Sequence, residues 1–157
     1  MTRLRGWCRK GERLIESVPH GHWKTTTFLC GLRRKGLVAP LVVDGAINGE
    51  LFKGWCEQHL AGELQAGDIV VMDNLNSHKV AGVAEAIRSA GARLRYLPPY
   101  SPDLNPIEQM FAKLKSLIRT AGERTREALW NRIGPLLDSF SNEECENYIQ
   151  HAGYKQT

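Results

Sequence analysis

Two acidic side chains in this sequence stand where carboxylates can do chemistry. Asp73 closes the short apolar run DIVVMD, residues 68–73, and Glu108 ends the proline-dense stretch LPPYSPDLNPIE, residues 97–108. The run 68–73 reads as a buried strand, Lys79–Ala90 as a helix ending at Gly91, and Ala92–Leu97 as a second strand with one face more exposed. A strand–helix–strand unit makes its two strands parallel, so both end at the same edge of the sheet. Asp73 ends the first strand, and the proline loop turns the chain back where the second strand ends, which should bring Glu108 near Asp73. In open α/β sheets that edge is the usual ligand site. Two carboxylates with Asn74, Asn76, Ser77 and His78 beside them supply hard oxygen ligands for Mg2+ or Mn2+. The chemistry such a set performs is metal-assisted phosphoryl transfer.

Each residue also has an ordinary structural explanation. Asn105 fits a helix N-cap, Pro106 the first helical position and Glu108 the third, so Glu108 could simply close a capping box. Asp73 followed by Asn74 could make an Asx-turn, and His78 could be a loop residue ahead of a helix capped by Ser77. What favours chemistry is the convergence of both carboxylates on one edge. Pro98, Pro99, Pro102 and Pro106 each hold φ at about −65° and narrow the freedom of the loop, which would keep Glu108 in register.

The rest of the chain supplies the elements that must carry this edge. Trp23–Leu32 reads as a strand, Arg33-Arg34-Lys35-Gly36 as a turn, and Leu37–Val43 as a second strand ending at Asp44-Gly45, together a hairpin. Residues 48–64 place Leu51, Phe52, Trp55, Cys56, His59 and Leu60 at helical spacing, with Asn48 as N-cap. Further helices are expected from Pro106 to about Thr120 and from about Thr125 to Phe140, and Ser141 with Glu144 opens a last short one. The apolar stripe of Ile107, Met110, Phe111, Leu114, Leu117 and Ile118 marks the face packing on the sheet. The order β-β-α-β-α-β-α-α, ahead of that last short helix, is α/β.

Composition sets bounds. A chain of 157 residues fits one domain, 42% hydrophobic and 24% charged, as expected of a globular protein. The longest apolar run, Leu37–Val43, is far short of the about 20 residues needed to span a bilayer. The charged N-terminus, with no apolar segment behind it, does not read as a secretory signal, so a cytoplasmic protein is expected. Cys8, Cys30, Cys56 and Cys145 form no CxxC pair and read as buried or idle thiols. His20-Gly21-His22 lacks a nearby thiolate or carboxylate and reads as structural or DNA-facing rather than metal-binding. The net charge of +4 is unevenly spread, with basic clusters at Arg3–Arg13, at Arg33, Arg34 and Lys35, and at Lys113, Lys115 and Arg119. That distribution suits a polyanion partner as well as a solvated basic face.

These residues carry a family likeness. VVMDNLNSHK followed by YLPPYSPDLNPIEQMFAKLK resembles the catalytic core of DDE transposases of the Tc/mariner superfamily, in their bacterial insertion-sequence branch. The likeness extends to VPHGHWKTTTF, VVDGAINGE and NYIQHAGY, nearly the whole chain. It implies a ribonuclease-H-like mixed sheet flanked by helices and a triad of metal-binding carboxylates. Activated water would cut a phosphodiester at the transposon end, and the freed 3′-hydroxyl would attack target DNA. Asp73 matches the second carboxylate, Glu108 the third, and His78 a histidine close to the site; Asn74 and Asn105 are further near-site polar residues. Arg33, Arg34, Lys35, Lys79, Lys113, Lys115 and Arg119 are the candidates to meet DNA. Mg2+ or Mn2+ is the implied cofactor. The implied partners are transposon-end and target DNA, with further copies of the chain or an upstream-encoded transposase segment, and no membrane.

The sequence departs from the family at the first carboxylate. The family's first Asp lies on the central strand, before a turn that Arg5-Gly6-Trp7 resembles, and no Asp or Glu precedes Glu12 here. Glu12 and Glu16 fall too late to substitute, and Asp44 is better placed as a turn residue. The expectation is therefore one truncated core over 1–157, with 1–20 a basic arm and the first, central strand missing, leaving unpaired strand edges in the sheet. Cleavage and strand transfer should then be impaired. The competing expectation is a catalytically silent DNA-binding or assembly fragment that modulates a full-length transposase.

Overall fold

A computed structural model describes residues 6–15 and 25–154. Its first unit is an antiparallel hairpin of β1 (Thr26–Arg33) and β2 (Gly36–Asp44). Arg34 and Lys35 form the tip, and Gly36 takes φ 133°, a conformation that a side chain would resist. Pairing runs from Thr26 opposite Asp44 to Arg33 opposite Gly36, with a register shift between Leu29 and Gly31. Beside the shift Ala39 takes φ 51°, and its carbonyl accepts a hydrogen bond of 2.8 Å from the buried Trp55 indole. The irregularity is thus held by a core partner, and it reorients the strand as bulges do.

The helical reading of residues 48–64 is met with one refinement. Asn48 caps the helix, its Oδ1 accepting from Leu51 N at 2.8 Å. Helix α1 (Gly49–Trp55) runs through a π-helical turn (Cys56–Leu60) into α2 (Ala61–Glu63), forming one continuous rod. The parallel unit then follows as β3 (Ile69–Met72), α3 (Val83–Ser89) and β4 (Arg93–Tyr96). The helix expected over Lys79–Ala90 is shorter than that. Asn76–Lys79 is a 3-10 turn, Val80 is extended, and Gly82 with φ 102° restarts the chain, its N–H bonded to Glu85 Oε2 at 3.0 Å. Glycine is the residue that makes this left-handed step cheap, and it separates the turn from the helix.

Three helices complete the chain: α4 (Ile107–Ala121), α5 (Arg126–Leu137) and α6 (Asn142–His151). Ser141 Oγ caps α6 by accepting from Glu144 N at 3.1 Å, as its sequence pattern implied. Gly122 with φ 65° ends α4.

Among the described residues the strands form two separate two-stranded sheets, β1–β2 and β3–β4, with no ladder between them. Side chains bridge the interruption. Arg33, at the end of β1, reaches Asp68 Oδ2 at 2.7 Å, just before β3, and Glu63 O at 2.9 Å. Two apolar cores lie on opposite faces of the hairpin. Leu29, Ala39 and Leu41 join Phe52, Trp55, Leu60, Met72, Val83 and Ile87. Phe28, Cys30, Leu32 and Leu37 join Met110, Leu114, Phe140 and Cys145. Alternation along β1 therefore serves two helical layers, the α1–α2 rod with α3 on one side and α4 with α6 on the other.

Candidate active site

The parallel pair determines where the acidic residues meet. Ile69 pairs with Arg93 and Met72 with Tyr96, and Leu97 N bonds Met72 O at 2.8 Å. Both strands thus end level, which is the arrangement expected of a parallel strand–helix–strand unit. Asp73 leaves the end of β3, and the proline loop leaves the end of β4. Between them opens a cleft of about 420 Å³ lined by Asp73, Asn74, Leu75, Lys79, residues 97–102, Asn105 and Glu108. The two carboxylates singled out from the sequence line one cavity.

Glu108 does not spend its carboxylate on capping. No side chain caps the start of α4, Pro106 already has helical φ and ψ, and Glu108 N bonds the backbone carbonyl of Asn105 at 3.2 Å. The capping box anticipated between Asn105 and Glu108 is therefore absent. Asn105 closes the 3-10 turn Pro102–Leu104 through its own N–H to Pro102 O at 3.0 Å, and so its side chain sits in the cleft wall. Among the described residues Glu108 has no side-chain hydrogen bond, so nothing competes for it in the cleft.

Asp73 is held more closely. Its Oδ1 accepts from Leu75 N at 3.3 Å, the Asx-turn that the sequence allowed, and lies 2.5 Å from His78 Nδ1. That close contact is not a hydrogen bond, and Nδ1 is buried without a hydrogen-bond partner among the described residues. His78 belongs to the 3-10 turn, and Ser77 caps no helix there. Two residues that the sequence reading did not single out fix His78. Phe52 stacks on its ring with centroids 4.1 Å apart at 26°, and Tyr96 donates its hydroxyl to the His78 carbonyl at 2.8 Å. Gly49 makes the approach possible, because a Cβ there would overlap Val80. Helical spacing marked Phe52 as core without revealing what it covers. Tyr96 could have been found from register, since it pairs with Met72, the neighbour of Asp73.

The site offers oxygen. Beside the two carboxylates, Asn74 Oδ1 is buried with no hydrogen-bond partner among the described residues. Two carboxylates and an orphaned amide oxygen fit a hard divalent cation, and Mg2+ in particular is commonly held by one or two carboxylates with substrate phosphates completing its shell. No cluster of three or more His, Cys, Asp and Glu side chains with metal-binding geometry occurs among the described residues.

The seven basic candidates divide. Lys79 is exposed, lines the cleft, and lies 5.8 Å from the Tyr96 ring centroid. Lys35, Lys115 and Arg119 are exposed, with Arg119 Nε bonded to Lys115 O at 3.0 Å. Arg33 is committed to Asp68, and Arg34 to Glu146 and to Tyr154 O. Lys113 bonds Glu144 at 2.6 Å and Ser139 O at 3.2 Å, and lies over the Phe140 ring. Arg3, Arg5, Glu16, His20 and His22, with part of the basic arm over 1–20, lie outside the described residues.

Residues 1–129 match the family model of the DDE superfamily endonucleases. The chain belongs to that family. No protein of curated function matches the sequence. Among solved structures it is similar to the Mos1 strand transfer complex, with TM-score 0.75 and 15% identity over 96% of this chain and 46% of the other. It is also similar to the Mos1 mariner paired-end complex with Mn, with TM-score 0.73 and 16% identity over 96% and 47%. The Mos1 transposase catalytic domain with raltegravir and Mg matches at TM-score 0.63 and 15% identity over 82% and 76%. The α/β architecture of small sheets flanked by helices is thus the fold of a mariner transposase catalytic domain, in agreement with the Tc/mariner likeness of the sequence. The chain spans about half the length of the chains it matches in the Mos1 strand transfer and paired-end complexes. No described helix is long and apolar enough to cross a membrane.

Proposed function

We propose that this chain carries the DNA-cleaving cleft of an insertion-sequence transposase, with Asp73 and Glu108 holding Mg2+ or Mn2+ against a DNA phosphodiester. The observation that carries the reading is the meeting of both carboxylates in one cleft at the carboxyl edge of the parallel strands. A divalent ion bound there would supply Lewis-acid stabilisation of the phosphodiester and a more acidic water. The protein's own part is positional. His78, clamped by Phe52 and Tyr96, holds Asp73 Oδ1 to one side, and the Leu75 N–H holds the same oxygen. Asn74 Oδ1 offers a third oxygen, and Lys79 presents a cation to the phosphate backbone at the rim. The prolines keep Glu108 from drifting, which matters because displacement of about 1 Å can cost on the order of 100-fold in rate.

With two carboxylates in the cleft, cleavage and strand transfer by this chain alone are expected to be weak, and a partner supplying a third would raise them. Transposon-end and target DNA are the proposed substrates. Further copies of the chain or an upstream-encoded segment are the proposed protein partners. The test is nicking of supercoiled plasmid and of transposon-end duplex in Mn2+, for wild type and Asp73→Asn. Slow nicking that Asp73→Asn abolishes supports the reading. Nicking that survives Asp73→Asn, or salt-sensitive DNA binding with no nicking at any metal concentration, overturns it. The second of these outcomes would favour a DNA-binding assembly role.

A further inference from the structure

Two residues other than glycine have left-handed backbone angles among the described residues, Ala39 with φ 51° and Tyr100 with φ 56°. Such angles are costly for residues bearing a Cβ, and turn positions that need them usually recruit Gly or Asn. Ala39 has a structural reason: it is buried at the hairpin irregularity, and its carbonyl is held by the Trp55 indole. Tyr100 has none of this. Its side chain is fully exposed at 102%, and it makes no hydrogen bond or ring contact among the described residues. A phenol ring left entirely in water on a strained backbone serves neither packing nor turn formation. The turn itself is stiff, with Pro98 and Pro99 before it and Pro102 after it. The same residue lines the cleft that contains Asp73 and Glu108, as does Leu75, an apolar side chain that is 55% exposed.

From this combination of strain, exposure and place we infer that Tyr100 is a stacking platform for a nucleobase of the bound DNA, next to the phosphodiester held at Asp73 and Glu108. The inference deepens the DNA-cleaving reading of the cleft and rests on it. An aromatic face stacks on any base, so the subsite recognises an unpaired or frayed nucleotide by its π surface and not by sequence. Leu75 supplies apolar contact for the rest of the nucleoside. Lys79 would meet phosphate in the same cleft, since cation, base platform and carboxylates all line it. The left-handed turn is what brings the ring to the rim: with φ in the ordinary range the side chain would leave the loop in another direction.

The experiment uses the full chain and a fluorescein-labelled duplex with a short single-stranded 3′ overhang, in Ca2+, read by anisotropy across a salt series. A matched duplex carries abasic sites in the overhang, which keep the phosphates and remove the bases. Tyr100→Ala and Tyr100→Gly should each weaken binding of the intact duplex roughly 5- to 100-fold, and Tyr100→Phe by no more than about 2-fold. Wild type should bind the abasic duplex as weakly as Tyr100→Ala binds the intact one, with the two losses not adding. The salt slope should not change, because no ion pair is removed. Tyr100→Gly should melt at the same temperature as wild type or higher, since glycine relieves the backbone. Wild-type affinity in Tyr100→Gly, or a lower melting temperature in that variant with affinity per folded molecule intact, overturns the stacking role while leaving the cleft's assignment in place. If wild type binds neither duplex, but still folds, the DNA-cleaving reading falls and the stacking role with it.

Discussion

Helix α4 belongs to two regions that treat charge in opposite ways. At its first turn Glu108 faces the cleft with no side-chain hydrogen bond among the described residues. Two positions later Met110 is fully buried, and Lys113 is tied to Glu144, to the Ser139 carbonyl and to the Phe140 ring. Around the base formed by α4, α6 and the hairpin, cations and carboxylates meet each other: Arg34 with Glu146, Lys113 with Glu144, Arg126 with Asp44. Around the cleft, Glu108 and Lys79 are exposed with no ion-pair partner among the described residues, Asn74 Oδ1 is buried with no hydrogen-bond partner, and the Tyr100 ring is exposed. The same residue types pair with one another in one region and stand without such partners in the other. Lysines and arginines cannot be sorted into these roles by sequence clustering, because what decides is whether an acidic side chain lies within reach in three dimensions.

Variants on α4 should separate the two regions most sharply. Glu108→Gln should lower Mn2+-dependent nicking by at least about 100-fold, with a melting temperature within about 1 °C of wild type. A large drop in melting temperature would restore the capping explanation for Glu108. Met110→Ala should instead cost about 2–5 kcal/mol in denaturant unfolding and leave activity per folded molecule close to wild type. The lysines make the next contrast. Lys113→Ala should destabilise by about 1–2 kcal/mol without altering the salt dependence of DNA binding. Lys79→Ala should leave stability unchanged and reduce the salt slope by about one.

The proline loop and Asp73 were legible because their information is local. Pro98, Pro99, Pro102 and Pro106 declare a stiff loop through their own ring chemistry, and Asp73 declares a strand end by following an apolar run. Asn48 and Ser141 declared their helix starts for the same reason. The sequence left a capping box open at Glu108 because the pattern is satisfied by spacing, whereas the bond depends on the backbone angles of Asn105, which the 3-10 turn before it takes up. The early end of the 3-10 segment at Lys79 was missed because the helical periodicity of residues 79–90 continues through Gly82, where the chain breaks.

Acid should weaken the base before it affects anything that depends on Lys79. Partial burial would raise the Asp68 pKa, but the Arg33 hydrogen bond, the Gln65 N–H and the Arg33 charge outweigh it and hold it below the usual value. Burial likewise opposes, and Lys113 and Tyr148 overcome, in Glu144, whose pKa is also lowered. A depressed folded-state pKa gives stability that is complete above the unfolded value of about 4 and is lost as pH falls through the folded one. Melting temperature should therefore decline below about pH 4, and Lys113→Ala should flatten the decline. A profile unchanged by Lys113→Ala would remove Glu144 as its source.

The smallest effect concerns the thiols. Burial pushes Cys30 and Cys56 up to about 12 and raises Cys145, while Cys8 is exposed. Under native conditions a thiol reagent should modify Cys8 alone, with no change in DNA binding, and the other three should react on unfolding. Early reaction of Cys145 would show that the base is looser than the cleft.

By itself the sequence determined the order of elements, the parallel unit that brings two strand ends to one edge, and the acidic residues at that edge. These follow from periodicity, caps and the handedness of crossovers, all of which act over short stretches of chain. Tertiary structure decided which charges find a partner within reach and which do not. It also decided that Phe52 and Tyr96 clamp His78, and that Ala39's strain is held by Trp55 while Tyr100's is not. Those outcomes depend on distances between groups far apart in the chain, and a single extra hydrogen-bond partner within reach turns a functional side chain into a structural one.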